Sequence, residues 1–155
     1  MDLFEAIKTR HMCRTFDTTK SVPEELVNQL IQAGKCAPSA GGLRDQHFYQ
    51  MYEQDDKDLL RATAMDQEHV AEASHVIVIA SDFQVVKKQY GRRGVELYAA
   101  QDCAAAAENI LLAATALGLG ACWIGAFEET EVQRILKLPK HIVPMVMIPV
   151  GYKKI

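Results

Sequence analysis

The chain has 155 residues and a net charge of −3, which is the size of one domain and excludes the strongly basic surface that general nucleic-acid binding requires. The N-terminus is acidic, no stretch is apolar enough to span a bilayer, and the four widely spaced cysteines form no zinc or disulfide signature. We therefore expect a single domain over residues 1–155 in a reduced, cytoplasmic protein without a leader peptide.

The first half of the chain predicts four helices and one strand. A short helix over residues 2–8 has its apolar side chains on one face. A second helix begins at Pro23, which suits a first helical position, and ends before Pro38, because the residue before a proline avoids helical geometry. A strand rich in β-favouring residues follows over residues 47–52. The two remaining helices are predicted over residues 57–65 and 68–73.

The middle of the chain predicts a buried strand and a long helix. Residues 75–81 form a continuous apolar, β-branched run, which is typical of a strand buried on both faces. Residues 84–94 are polar, and we expect a loop at Arg92-Arg93-Gly94. Residues 95–117 give the longest helix pattern, with the polar residues confined to less than half of its circumference. One small domain covers such a wide apolar face poorly, which favours a homodimer.

The last part predicts a short strand over residues 121–124, a helix over 128–136 and a strand over 142–150. Pro144 and Pro149 suggest that this last strand lies at a sheet edge or that they lie at strand ends. Helices and strands alternate irregularly along the whole chain. The predicted fold class is therefore α+β, with a mixed or antiparallel sheet of about four to five strands flanked by helices.

Two stretches point to an anionic cofactor. In residues 10–16, called here the arginine segment, Arg10 and Arg14 are four residues apart and would point the same way on a helical turn. Two guanidinium groups suit a phosphate, although a solvated basic patch at a helix end gives the same pattern. Residues 37–44, called here the small-residue loop, would let backbone N–H groups approach a flat or charged ligand.

Four motifs together resemble the nitroreductase family, whose members are flavoproteins that bind FMN at a homodimer interface. Arg-His-Met-Cys-Arg-Thr-Phe at 10–16 resembles the N-terminal arginine motif of the family. Ala-Pro-Ser-Ala-Gly-Gly-Leu-Arg-Asp-Gln-His-Phe at 37–48 resembles its Ala-Pro-Ser-Ala motif. Leu-Gly-Leu-Gly-Ala-Cys-Trp-Ile-Gly at 117–125 and Val-Gly-Tyr at 150–152 resemble its two C-terminal motifs. The four occur in the family's order over nearly the whole chain.

The resemblance implies a role for each matched residue. Arg10, His11 and Arg14 would hold the FMN phosphate and ribityl chain, with Met12 in the family's serine position, and Lys153 would reach the phosphate. The small-residue loop of the partner subunit would line one side of the isoalloxazine ring with Pro38, Ser39, Ala40 and Gly42. The other region of the ring would be covered by Trp123, Ile124 and Gly125.

The implied activity is hydride transfer from NADH or NADPH through FMN to an electrophilic acceptor, such as a nitroaromatic compound or a quinone. The flavin performs this chemistry itself, so we expect no catalytic side chain and no metal site. Arg44 is the candidate to stabilise negative charge on the reduced flavin. Two other interpretations remain: an FMN-binding carrier or redox sensor without significant turnover, and a flavin-free structural dimer.

Several of these residues also have structural interpretations. Arg44 can be a solvent-facing loop residue, and His11 can cap the first helix. Trp123 can belong to the core. Asp102 and Asn109 on the long helix are expected to make buried hydrogen bonds rather than to catalyse.

The chain departs from the family pattern at several positions. Met12 replaces the usual serine, Gly42 the usual asparagine and Arg44 the usual glutamine, while Asp45-Gln46 replaces Pro-Trp. The sequence stops at Ile155, where many relatives continue in an arm around the partner. The missing arm and the changes at Met12, Gly42 and Asp45 count toward the carrier or sensor interpretation, while FMN-dependent hydride transfer remains the main prediction.

Overall fold

Four antiparallel strands form one open sheet in the computed structural model, which describes residues 1–154. The strand order is β1-β2-β4-β3, so that β2 and β4 lie in the centre. The predicted α+β class is confirmed, with four strands that are all antiparallel. The strands are β1 (Gln46–Met51), β2 (His75–Asp82), β3 (Gly120–Ala121) and β4 (Ile142–Gly151).

Helices cover both faces of the sheet. They are α1 (Leu3–Thr9), α2 (Glu24–Lys35), α3 (Gln54–Thr63), α4 (Glu68–Glu72), α5 (Phe83–Arg93), α6 (Ala99–Ala116) and α7 (Glu129–Ile135). A 3₁₀ turn at Ala40–Gly42 and a π-helical turn at Gly94–Tyr98 add to them. Most elements lie where the sequence predicts them, with their ends displaced by a few residues.

Strand β2 is buried on both faces, as its apolar run predicts. Ile77 and Ile79 pack against α2 and α6 on one side of the sheet, whereas Val76 and Val78 pack against α3 and α7 on the other. All four side chains are fully buried. The alternation follows from the two-residue period of a strand, so one strand contributes to both core layers.

The prediction that the prolines place β4 at an edge, or lie at strand ends, is wrong. Strand β4 pairs with β2 on one side and with β3 on the other. Pro144 lies opposite Ala80 beside a bulge in the ladder. Pro149 lies where the two-residue strand β3 has ended, and its carbonyl accepts a hydrogen bond from the Cys122 N–H. The N–H groups that the two prolines lack would therefore fall beside the bulge and beyond the end of β3, where the ladder of hydrogen bonds does not require them.

The predicted loop at residues 92–94 is also wrong, because helix α5 runs through Arg93 and leads by the π turn into α6. The Asp82 carboxylate caps the start of α5 by accepting hydrogen bonds from the N–H groups of Gln84 and Val85. Gly91 has a φ of 58°, which absorbs the bend within this helical stretch. Glycine thus redirects the chain without a loop.

Within residues 1–154, no helix has the length and apolar character needed to cross a membrane. The same part of the chain contains no group of three or more metal-binding side chains. The cytoplasmic location that the sequence suggests stays a prediction.

Candidate functional site

The arginine segment is extended rather than helical. Helix α1 ends at Thr9, and Arg10 already has non-helical dihedral angles. The Cys13 N–H donates to the Ala121 carbonyl (2.9 Å), and the Lys154 N–H donates to the Thr15 carbonyl (3.3 Å). The predicted helical turn that would align Arg10 and Arg14 is therefore wrong, because hydrogen bonds to β3 and to the backbone after β4 hold the segment extended.

These hydrogen bonds bring three of the four sequence motifs together. Met12 lies beside the third motif, where its sulfur contacts the Trp123 N–H at 3.3 Å. Phe16 forms an isolated bridge with Lys153, next to the C-terminal motif. The space between the motifs depends on Gly120, because a Cβ there would lie 2.6 Å from the Cys13 sulfur and 3.1 Å from Cγ of Lys153. The Lys153 side chain thus passes over Gly120 beside the arginine segment.

The Arg10 guanidinium has a hydrogen-bond donor without an acceptor in residues 1–154. Its Nε lies 3.6 Å from a Glu108 carboxylate oxygen on α6. Its Nη1 atom is buried and has no hydrogen-bond partner. A buried unpaired guanidinium donor is costly, and an anionic oxygen would remove that cost. The Arg10 side chain therefore fits one oxygen of a phosphate.

Arg14 is exposed and lies on the same side of the fold as His69 and Cys122. Burial lowers the pKa of His69, and the positive charge of Arg14 lowers it further. Burial raises the pKa of Cys122, and Arg14 opposes this change. The His69 Nε2 atom is buried without a partner. His69 was not a sequence-predicted site residue, since it lies outside all four motifs.

His11 follows the capping alternative. Its Nδ1 atom lies 3.0 Å from the carbonyl oxygen of Thr9, the last residue of α1. Such a contact satisfies a free carbonyl at a helix C-terminus. The exposed ring leaves Nε2 open to solvent, so the predicted cofactor contact of His11 stays a prediction.

The small-residue loop is tied to α6 by a carboxylate. The Ala40 N–H faces both oxygens of Asp102, at 3.0 and 2.9 Å. The Gln46 side-chain amide donates to the carbonyls of Pro38 (3.0 Å) and Asp102 (3.1 Å). The Ser39 hydroxyl accepts the Arg44 N–H at 2.8 Å. Side chains from α6 and from β1 therefore both hold the loop in place.

Two glycines let this loop turn. Gly41 and Gly42 have φ values of 57° and 68°, in the left-handed region that glycine adopts readily. A Cβ on Gly41 would collide with the Tyr90 hydroxyl of α5. A Cβ on Gly42 would meet nothing, so this residue faces open space. The loop thus rests on α5 at Gly41 and presents Gly42 outward.

Arg44 has a structural partner. Its guanidinium donates to the carbonyl of Lys35 at 2.9 Å, at the C-terminal end of α2. A cation is favourable there because the helix dipole places partial negative charge at that end. Arg44 also lines a cavity of about 300 Å³ with Lys35, Gln46 and Phe48. Its predicted role at the flavin stays open beside this capping role.

The three predicted ring contacts of the third motif differ in their exposure. Trp123 is half-buried against the core, whereas Gly125 is exposed. A Cβ built on Gly125 would lie 3.6 Å from the Trp123 indole nitrogen. Ile124 is 2% exposed, and its backbone N–H and carbonyl both pair with Met147. Of the three predicted ring contacts in this motif, Trp123 and Gly125 are thus the two that a ligand can reach.

Two carboxyl groups beneath the small-residue loop form a further part of the site. Asp102 is confirmed as a buried hydrogen-bonding residue, and Asn109 donates to the Ala33 carbonyl at 3.1 Å. Asp45 is 1% exposed and faces Asp102. Burial and the neighbouring Asp45 together raise the pKa of Asp102 to about 6, against the opposing effect of the Ala40 hydrogen bond. Sequence reasoning noted Asp45 only as a replacement for proline.

A larger cavity of about 550 Å³ lies elsewhere in the molecule. It is lined mainly by α5 and the start of β4, including Phe83, Lys87, Val95 and His141. None of the sequence-predicted site residues lines it. We therefore identify the candidate site by the motifs that lie together and not by the size of a cavity.

Comparison with known proteins gives a family match and named relatives. The model of the Nitroreductase family matches residues 7–67 and 50–152. A Methanothermobacter thermautotrophicus protein named "Putative NADH dehydrogenase/NAD(P)H nitroreductase" is 33% identical over 156 residues, covering 98% of this chain and 78% of that protein. The "FMN reductase (NADPH)" of Bacillus subtilis is 26% identical over 161 residues, covering 96% of this chain and 64% of that protein.

A solved structure also matches this chain over almost its whole length. The crystal structure of a Bacteroides thetaiotaomicron protein, also named "Putative NADH dehydrogenase/NAD(P)H nitroreductase", superposes with a TM-score of 0.87 at 29% identity. The superposition covers 99% of this chain and 87% of that chain. The matched region therefore includes all four motifs.

Proposed function

This chain belongs to the nitroreductase family, and from that premise we propose that it is an FMN-dependent oxidoreductase. It takes a hydride from NADH or NADPH and passes it through FMN to an electrophilic acceptor such as a nitroaromatic compound or a quinone. The names of relatives support this choice, since they include an NAD(P)H nitroreductase and an NADPH-dependent FMN reductase.

One observation carries the proposal: the buried Nη1 atom of Arg10 has no hydrogen-bond partner among residues 1–154. Arg14 lies on the same segment as Arg10, and Lys153 is bridged to this segment at Phe16, so we infer that these two cations join Arg10 at the anion. A phosphate monoester carries about −1.5 to −2 charge and three acceptor oxygens. FMN has such a group, and these three side chains would hold it.

The remaining site residues would orient the ring. When bound, FMN supplies the hydride chemistry between donor and acceptor. Trp123 and Gly125 offer a reachable surface beside the arginine segment, and the Trp123 backbone is held by Met12. The small-residue loop presents Gly42 outward, where it would approach the ring bound to the other subunit.

The site we propose requires a homodimer, and helix α1 supplies an unpaired apolar surface for it. Leu3, Phe4 and Ile7 are exposed by 61%, 79% and 51%. Apolar side chains clustered in this way on one short helix mark an association surface. We propose that a second copy of the chain covers this helix and brings its small-residue loop to the ring.

An FMN-binding carrier or sensor without significant turnover is the second candidate. The contact between Arg44 and the Lys35 carbonyl favours it, because this cation is engaged at a helix end instead of being free for reduced flavin. The Met12 sulfur, which contacts a backbone N–H, also offers no hydroxyl to a phosphate. Turnover separates the two candidates.

The first experiment is an absorbance spectrum of the purified protein, followed by identification of the released chromophore. We expect a flavin spectrum and FMN, and then oxidation of NADH or NADPH in the presence of a quinone or a nitroaromatic acceptor. Bound FMN without oxidation of either donor would select the carrier or sensor. A colourless protein that does not bind added FMN would overturn both candidates.

A further inference from the structure

Asp45 and Asp102 form a buried pair of carboxyl groups beneath the small-residue loop. They are 1% and 7% exposed, and they lie within hydrogen-bonding reach of each other. Ser81 donates a very short hydrogen bond to Oδ2 of Asp45, and the Ala40 N–H bonds to Asp102. The other oxygen of Asp45, Oδ1, is buried and accepts no hydrogen bond from the part of the chain that the structure describes. A proton between the carboxyl groups would satisfy it.

Two adjacent buried carboxylates cannot both be charged without strong repulsion, so such pairs keep one proton. We propose that Asp45 and Asp102 share a proton, and that this proton positions the small-residue loop for binding of the flavin ring. Asp102 is thus a positioning residue. This inference rests on the proposed function only for the identity of the ligand.

The connection from proton to loop runs through Ala40. Asp102 holds the Ala40 N–H, and Gln46 links the Asp102 carbonyl to the Pro38 carbonyl. If the shared proton is lost, repulsion between the carboxylates displaces Asp102 from Asp45 and alters its contact with Ala40. Pro38 and Ala40 belong to the set predicted to line the ring, so ring binding would weaken.

The surroundings of the pair add no compensating charge. The titratable neighbour is Cys103 on α6, where burial raises the pKa of the thiol and the charges of Asp45 and Asp102 raise it further. This thiol therefore stays neutral. Ser81 from β2, Gln46 from β1 and the backbone of Ala40 contribute only uncharged polar groups. The state of the pair thus depends on its own proton.

Asparagine imitates the protonated form at either position. In Asp102→Asn, the amide oxygen accepts the Ala40 N–H and the amide nitrogen donates to Asp45. In Asp45→Asn, the oxygen accepts the Ser81 hydroxyl and the nitrogen donates to Asp102. Asp66→Asn is the matched control, because Asp66 is exposed with a φ of 52°, which asparagine tolerates.

The test measures the dissociation constant of FMN by fluorescence titration from about pH 5 to about pH 8. In the wild type and Asp66→Asn, we expect affinity to fall about ten-fold as pH rises through this range. In Asp102→Asn and Asp45→Asn, affinity should be less dependent on pH. The FMN phosphate also titrates near pH 6, but equally in all four proteins, so their difference isolates the pair. Identical profiles would overturn the positioning role.

Urea unfolding without FMN tests the pair separately from the proposed function. The pKa of Asp102 is raised from 3.8 to about 6, so the folded state binds the extra proton between these values. The stability of the wild type should therefore decrease as pH rises from about 4 to about 6, and Asp102→Asn should lack this contribution. If the wild type and Asp102→Asn show the same pH dependence of unfolding, the shared proton is overturned, whether or not FMN binds.

Discussion

The absent side chain of Gly120 creates the space in which Cys13 packs against β3. A Cβ on Gly120 would lie 2.6 Å from the Cys13 sulfur and 2.9 Å from its Cβ. The Cys13 N–H bonds to the neighbouring Ala121 carbonyl, so the arginine segment has little freedom to move away. Gly120 thereby sets how closely the residues proposed to bind the phosphate approach the sheet.

We predict that Gly120→Ala destabilises the fold by about 1–3 kcal/mol, the usual cost of overpacking. It should also weaken FMN binding, because displacement of Cys13 moves Arg10 and Arg14. Gly125→Ala is the control for stability, since its Cβ would lie 3.6 Å from the nearest atom, an ordinary contact. Urea unfolding and FMN titration check both effects. Equal stability of the two variants would contradict the packing argument.

Arg10→Ala and Arg14→Ala should each weaken FMN retention far more than Lys88→Ala does. Hydrogen bonds to charged groups contribute about 1.5–3 kcal/mol, which corresponds to roughly a ten- to hundred-fold loss of affinity. Lys88 is an exposed residue of α5 outside the motifs, and it controls for the loss of one positive charge. FMN retained through gel filtration is the measurement. Similar retention in all three variants would remove the arginine segment from the site.

The sequence predicts those parts of the fold and site that depend on consecutive residues. The apolar run of β2, the order of the four motifs and the small-residue loop are all local patterns. The extended arginine segment was missed, because its conformation depends on hydrogen bonds to Ala121 and Lys154, far along the chain. Tertiary hydrogen bonds there outweigh the local helical spacing of Arg10 and Arg14.

The same limit explains the other differences. The pair of Asp45 with Asp102 joins a loop to a helix distant in sequence, so no spacing rule reveals it. The wide apolar face of α6, taken as the dimer surface, is largely covered by α2 and the sheet within one chain. A cluster of three exposed apolar side chains lies instead on α1.

Phe4→Glu should therefore convert the protein into a monomer with weakened FMN binding. Phe4 is 79% exposed in a single chain, so the substitution costs little within one subunit but places a charge in the proposed interface. Tyr52→Glu is the control, because Tyr52 is an aromatic residue 59% exposed away from α1. Light scattering gives the mass of each variant. A Phe4→Glu dimer, or a monomer that holds FMN as the wild type does, would contradict the interface.

Two buried histidines should make the protein less stable in acid. Burial lowers the pKa of His69, with a further decrease from Arg14, and burial lowers the pKa of His75, with a further decrease from Lys57. Below the unfolded pKa of 6.5, the unfolded chain then binds more protons than the folded one. Stability should fall as pH decreases from 6.5, by at most about 1.4 kcal/mol per pH unit for each histidine.

The double variant His69→Gln/His75→Gln should lose this acid dependence, while His47→Gln, at an exposed position, should keep it. Asp102 acts in the opposite direction between about pH 4 and pH 6, since its raised pKa favours the folded state in acid. Unfolding is therefore best measured in the Asp102→Asn background, where the opposing contribution of Asp102 is absent. An unchanged slope in the double variant would show that neither imidazole is held neutral by burial.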